Sequence, residues 1–290
     1  MFGIQNGKLA GMAAMLVAVA AFAVLDACLK LLVAHYSPSQ VAALRGLVSL
    51  PVVLVWSLWA GGFWQLIRIR WALQLLRGVL SVAMMVLFSF GLKTLGLAET
   101  YSIFFVAPLI VTTLSVVLLG ERVVRAQWLA VAIGFVGVLV ALNPRGTGFV
   151  SLGGLAILGT AVAYALTAVL VKVIGRTDST HSMMFWLILV MAFGALALAA
   201  PGWLPIRSVD WPILAAIAVF GTIAQYCVTV AFQRAPAASV APLEYTALVW
   251  GVLIDLSVWG KAPQLRTLLG AGIVIAAGVL LLRQARDLNR

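Results

Sequence analysis

Ten apolar stretches, each about as long as a bilayer core is thick, follow one another through this chain with only short connections between them. They run approximately over 9–33, 38–60, 72–92, 98–119, 125–142, 152–173, 180–200, 210–231, 237–257 and 265–282. A helix rises about 1.5 Å per residue and a hydrocarbon core measures about 30 Å, so about 20 apolar residues cross it. No water at that depth satisfies backbone N–H and C=O groups, so each stretch must close its own hydrogen bonds as a helix. Long segments with weak alternation argue against a β-barrel. Charged residues make up only 9% of the chain, against about a quarter in a soluble domain. A soluble chain of 290 residues cannot cover its surface with so little charge. The sequence specifies an all-α integral membrane protein, with no soluble domain of useful size on either side.

The ten stretches divide into five and five. Leu92–Leu142 lies on Phe232–Leu282 without a gap, setting Ala98 on Ala238, Ala107 on Ala247, Gly120 on Gly260, Leu129 on Leu269, Ile133 on Ile273 and Leu142 on Leu282. Each copy closes a block of five stretches. Because five is odd, the second block enters the membrane the other way up. The chain reads as two inverted five-helix repeats, residues 1–147 and 148–290. Many secondary transporters have this architecture, with the site between the repeats.

Lysines and arginines in short loops set the orientation. With the N-terminus cytoplasmic, the inner side carries Lys8, Arg68, Arg70, Arg122, Arg125, Lys172, Arg176, Arg234, Arg283, Arg286 and Arg290. The outer side carries Lys30, Lys93, Arg145, Arg207, Lys261 and Arg266. Both termini are therefore expected in the cytoplasm of a bacterial inner membrane protein. The net charge of +11 reflects this bias and contact with anionic membrane lipids. The basic residues are scattered singly between spans, which speaks against a nucleic-acid partner. The first apolar run is about 25 residues long, beyond a signal-peptide core of about 7–15, and is kept as a span. Cys28 and Cys227 lie within spans without a metal-ligand pattern and read as small core hydrophobes. No metal or cofactor is expected.

Charges inside a span demand explanation, since one at the bilayer centre costs at least about 2.5–3.5 kcal/mol. Asp26 and Arg45 fall near the outer ends of the first two spans at similar depth, with Lys30 one turn from Asp26 on the same helix face. They form either an outer gate or substrate contact, or a static triad. Arg77 and Glu244 form a second layer on the inner side. Arg77 either snorkels to the head groups or faces a site. Glu244 lies deeper, in Pro242-Leu243-Glu244-Tyr245-Thr246, where a carboxylate can bind a cation, a substrate amine or a proton. Glu99 and Asp255 are expected at solvated loop edges.

Seven tryptophans, among them Trp56, Trp71 and Trp259, fall near the interfaces as belt anchors. Tyr164, Trp186, Tyr226, Tyr245 and Trp250 fall within spans, and with Gln225 and Tyr101 are candidates to line a pocket. Packing is the other reading of each. Pro51, Pro108 and Pro242 interrupt spans 2, 4 and 9, of which 4 and 9 are counterparts, and breaks at corresponding positions point to a central site. An ordinary kink is the alternative. Small residues at helical spacing in spans 5 and 10 (Ala130, Gly134, Gly137; Gly270, Gly272, Gly278) suit close helix packing.

Ala98, Pro108, Gly120-Glu121-Arg122 and the glycine-bearing span that follows resemble the drug/metabolite transporter superfamily, in its EamA-like branch. The second half departs from the pattern, with Leu248 at the position of Pro108 and Gly260-Lys261 in place of Gly-Glu. The resemblance covers nearly the whole chain. It implies export of amino acids, other metabolites or toxic organic cations, and aromatic residues within spans make the chain most similar to bacterial aromatic amino acid exporters. Glu244 or Asp26 is then expected to meet the substrate amine, Arg45 or Arg77 its carboxylate, and the buried aromatics its ring.

The sequence lacks a phosphate-binding loop, so transport is expected to run on gradients, by facilitation or by proton exchange. The protein is expected as a monomer or weak homo-oligomer. An integral membrane enzyme is the reading from another class, but His35 and His181 fall at opposite faces and no zinc-protease or serine-hydrolase motif occurs. A channel is the remaining alternative.

Overall fold

Helix starts and stops follow ordinary capping chemistry in a computed structural model that describes residues 2–67, 69–95, 97–142, 151–260 and 265–287. Arg68, Arg145, Lys261 and Arg290, and the side chains of Ala98, Glu99, Asp255, Trp259, Arg283 and Arg286, lie outside the described residues. The chain opens with α1 (Phe2–Leu32), α2 (Pro38–Ile67) and α3 (Trp71–Thr94). Pro38 begins α2, where its missing N–H leaves nothing unpaired. After α4 (Leu97–Phe104), α5 (Ala107–Leu119) and α6 (Arg125–Leu142), the second half begins with α7 (Leu152–Ile174) and α8 (Thr180–Ala199). Ser151 and Ser179 cap these two helices by accepting the Gly154 and Ser182 N–H groups at 3.0 and 3.2 Å. The chain then runs through α9 (Trp211–Arg234), α10 (Ala237–Val240), a 3₁₀ segment (Ala241–Thr246), α11 (Ala247–Trp259) and α12 (Leu265–Asp287). No strand occurs among the described residues.

Among the described residues, eight helical stretches are long and apolar enough to cross a membrane: 7–32, 38–59, 71–94, 100–119, 152–174, 180–202, 208–234 and 237–258. The chain is a multi-pass membrane protein. The fifth and tenth expected spans correspond to α6 and α12, whose apolar parts, 125–140 and 265–279, are shorter.

The helices pair across the two halves. α1 packs along α9, α2 along α8, α3 along α7 and α6 along α12. Exchanging each helix for its counterpart in the other half turns α1–α9 into α7–α3 and maps α2–α8 and α6–α12 onto themselves. The α5–α7 contact likewise exchanges with α1–α11, and both are present. Gly137 lets α6 and α12 approach: a Cβ there would lie 3.0 Å from the Gly270 carbonyl oxygen. Gly272 and Gly278 face open space instead, so they are not part of that contact.

Two crossings are broken. Between α4 and α5 the helix is interrupted at Phe105-Val106, with Pro108 in the first turn of α5. In the second half Pro242 opens the 3₁₀ segment between α10 and α11. A proline has no N–H to donate and its ring crowds the carbonyl four residues back, so both sites suit a change of helix direction. The second fragments of the two crossings end alike: Gly120 follows α5 at φ 64° and Gly260 follows α11 at φ 62°. Pro51 corrects the expected break in span 2. It sits inside α2, which continues through it as one helix. The helix is continuous on both sides of it and packs along α8, so Pro51 costs one backbone hydrogen bond without ending the helix.

Candidate functional site

The broken segments border a central cavity of about 110 Å³. One face of α1 supplies Met15, Val19, Phe22 and Asp26, spaced by one helical turn each. Arg45 enters from α2, Met84, Met85 and Phe88 from α3, Tyr101, Phe104 and Phe105 from the first break, Thr160 and Tyr164 from α7, and Glu244 from the 3₁₀ segment. Aromatic and thioether surface therefore surrounds two carboxylates and one guanidinium.

Each carboxylate is held by a tyrosine. The Tyr101 hydroxyl donates to Asp26 Oδ2 at 2.7 Å, and the Tyr164 hydroxyl donates to Glu244 Oε1 at 2.9 Å. The exchange of halves relates the elements that carry the two pairs, with acid and tyrosine swapped between them. In the first, α1 brings the acid and α4 the tyrosine. In the second, α7 brings the tyrosine and the 3₁₀ segment the acid. Charge-assisted bonds of this kind offset part of the desolvation that burial imposes on a carboxylate.

A smaller cavity of about 40 Å³ adjoins the first and shares Phe22, Arg45, Met84, Tyr164 and Val228 with it. Its further lining includes Arg77, Ser81, Thr167 and Gln225. Arg77 is only 1% exposed, so it does not snorkel to the surface. Its Nη1 donates to the Met183 carbonyl at 2.9 Å and its Nη2 to Thr229 Oγ1 at 3.5 Å, while Nε has no partner. Arg45 Nη1 donates to the Met85 thioether at 3.0 Å, and its guanidinium stands 5.9 Å from the centre of the Phe22 ring. Arg45 and Asp26 line one cavity, yet among the described residues neither Arg45 nor Arg77 has a carboxylate within 4.0 Å.

Of the residues singled out in the sequence, Asp26, Arg45, Tyr101, Tyr164 and Glu244 meet at the larger cavity, and Arg77 and Gln225 at the smaller. The others lie elsewhere. Tyr245 points away from the cavity into an apolar cluster with Phe105, Val131, Val138 and Val274, because it is next to Glu244 on a tight 3₁₀ turn and faces α6 and α12. Trp250 is 39% exposed on an outer groove between α1, α9 and α11. Trp186 donates its indole N–H to the Leu66 carbonyl at 2.6 Å and packs against Trp71 beside the α2–α3 connection. Tyr226 packs edge-on against Trp56 at 4.7 Å. Lys30 lies one turn beyond Asp26 on α1 and lines neither cavity. The phenylalanines and methionines of the lining were not anticipated, although Met15-Val19-Phe22-Asp26 and Arg77-Ser81-Met84-Phe88 follow one helix face each from a charged residue.

Polar contacts tie elements together at both ends of the bundle. At the end carrying the α5–α6 connection, Glu121 Oε1 pairs with Lys172 Nζ at 2.9 Å and its Oε2 accepts the Ala237 N–H at 2.9 Å. One carboxylate thus ties α5, α7 and α10. Beside it, Asp178 accepts from Gln74 Nε2 at 2.9 Å and from the Arg70 N–H at 3.2 Å. At the opposite end, Tyr36 donates to Asp210 at 2.5 Å and Arg207 pairs with the same carboxylate at 2.9 Å.

Comparison with known proteins gives this arrangement its context. A solved crystal structure of a protein 21% identical to the chain aligns over 98% of it, and over 99% of the other chain, with a TM-score of 0.80, which shows a shared fold. The chain is 29% identical to a riboflavin transporter of Vibrio cholerae, covering 94% of this chain and 92% of that one. It is 26% identical to an S-adenosylmethionine uptake transporter of Rickettsia conorii over 75% of this chain and 74% of the relative. A pseudopaline exporter of Pseudomonas aeruginosa is 24% identical over 90% of this chain and 92% of its own. The model of the EamA-like transporter family matches twice, over residues 9–143 and 151–283. Repeated in both halves and covering nearly the whole length, that match shows that the chain belongs to the EamA-like transporter family.

Proposed function

We propose that the protein is a secondary transporter that exports small amphipathic metabolites, aromatic amino acids foremost, across the bacterial inner membrane by alternating access. The observation that carries this reading is the pair of tyrosine-held carboxylates, Asp26–Tyr101 and Glu244–Tyr164, set in an aromatic cavity at the two broken crossings. A substrate amine has two acids to meet, and its ring has Phe22, Phe88 and Phe104 to pack against. In this reading the two halves, 1–147 and 148–290, are inverted five-helix repeats with ten spans in all and both termini cytoplasmic. They rock about the cavity in a monomer or weak homo-oligomer. Membership in a family of transporters and the absence of a phosphate-binding loop in the sequence support gradient-driven transport without catalysis. Glu244 is the residue we assign to proton exchange where coupling occurs.

Counterflow in proteoliposomes is the direct test. Labelled phenylalanine, tyrosine or tryptophan should exchange with saturation and trans-stimulation. Failure of every amino acid removes the substrate assignment, and flux without saturation supports a channel instead. An imposed pH gradient should drive uptake in wild type and not in Glu244→Gln. The relatives named for riboflavin and S-adenosylmethionine favour a second reading, since both molecules pair an aromatic heterocycle with a polar chain. Both belong in the same panel, with organic cations as the multidrug alternative.

A further inference from the structure

We propose that the small cavity beside Arg77 is a subsite for a carboxylate, so that the transported molecule is a zwitterion held with its cationic end toward Asp26 and Glu244. The inference rests on the transport reading above and narrows its substrate class.

Two guanidiniums converge on this cavity with donors left over. Arg77 Nε is buried without a partner, and its Nη2 makes only a 3.5 Å contact with Thr229. Arg45 gives Nη1 to a thioether sulfur, a weak acceptor for a charged donor. No carboxylate lines the small cavity. Asp26, which lines the larger one beside Arg45, accepts from Tyr101. Arg45 feels Asp26 across the larger cavity, but the lining of the small cavity holds no carboxylate for Arg77, whose buried charge loses hydration without a counter-charge, so the arrangement favours an anion that enters with the substrate. A planar guanidinium fork matches the two oxygens of a carboxylate. Gln225, 7% exposed on the same lining, adds an amide donor. A volume of about 40 Å³ accommodates a carboxylate or a few waters.

The junction fits the rest of such a molecule. Arg45 and Tyr164 line both cavities, and Tyr164 carries the bond to Glu244. Anionic and cationic groups a few bonds apart therefore reach opposite partners while the apolar body lies against Phe88 and Phe104 in the larger space.

The test uses purified full-length protein and probes that separate the two charges. Thermal stabilisation is measured with 3-phenylpropionate, its neutral amide and phenethylamine. Wild type should bind 3-phenylpropionate at least tenfold more tightly than the amide. Arg45→Gln and Arg77→Gln should each lose at least tenfold in affinity for 3-phenylpropionate, and Arg77→Gln, at a position that lines the small cavity and not the larger, should keep that for phenethylamine within about twofold. Equal binding of acid and amide by wild type overturns the subsite, and that comparison needs no variant to fold. Equal loss of both charged probes in Arg77→Gln overturns it too, marking that arginine as scaffold. Selective binding of 3-phenylpropionate without amino-acid counterflow keeps the anion subsite and removes the transport reading instead.

Discussion

At Asp26 and Glu244 a carboxylate that is expensive to bury accepts a tyrosine hydroxyl, at 2.7 and 2.9 Å. Removing the hydroxyl leaves the acid without its donor, and loss of a bond to a charged group costs about 1.5–3 kcal/mol. Tyr164→Phe is therefore expected to lower counterflow at least about tenfold, with helix content in circular dichroism unchanged. Tyr101→Phe should do the same from the other half. An unchanged exchange rate in both variants would mean that the tyrosines are packing residues. Gly120 poses a separate question of backbone. It caps α5 at φ 64° with no atom near enough to obstruct a Cβ, so an alanine there is strained by conformation alone. Gly120→Ala should cost about 1 kcal/mol, read as a lower melting temperature in detergent.

Broken crossings were legible at the level of the element, because a proline cannot supply the N–H that a continuous helix needs. Pro108 and Pro242 stand at interruptions, whereas Pro51 lies within the continuous α2, a difference that the residue type alone does not carry. The succession of apolar helices followed from length and apolarity, whereas their pairing is seen only in the packing. The lining did not, because Tyr245 and Glu244 are adjacent in sequence and a single 3₁₀ turn sends one to the α6–α12 seam and the other to the cavity. Trp186 and Trp250 are intramembrane aromatics by sequence, yet one ties α8 to the end of α2 and the other faces an outer groove, since an aromatic inside an apolar span carries no mark of which face it occupies. Helical spacing from Asp26 and Arg77 was the usable signal, and it leads to Phe22 and Phe88. The break itself can be tested. Pro242→Ala restores a donor and relieves ring crowding, so α10 and α11 are expected to merge toward one helix and draw Glu244 from Tyr164. Counterflow should fall at least about tenfold while the melting temperature holds or rises, since a helix-interior proline is worth about 3 kcal/mol against.

For the whole molecule, under alternating access as proposed above, the exchange symmetry of the packing means that two states related by swapping the roles of the halves would be built from the same contacts. What selects between them is chemistry that the halves do not share. Glu121 is such a group: its repeat position carries Lys261, so the tie from Glu121 to Lys172 and the Ala237 N–H has no acidic counterpart. Glu121 and Lys172 have side chains 16% and 17% exposed, so solvent weakens their attraction but does not abolish it. Loss of the ion pair and of the charge-assisted bond to α10 together is worth about 1.4 kcal/mol, or tenfold in the balance between latched and open forms. Glu121→Gln is therefore expected to expose the buried Ser239, which stands two residues beyond Ala237 and accepts from Gln127 at 2.8 Å. Maleimide labelling of Ser239→Cys in a background lacking Cys28 and Cys227 should accelerate about tenfold with Glu121→Gln. Reversing the charges as Glu121→Lys with Lys172→Glu should recover only part of that protection, because a lysine cannot accept the Ala237 N–H. Full recovery would assign the latch to the ion pair alone, and unchanged labelling in Glu121→Gln would show that this end is held shut by helix packing rather than by its carboxylate.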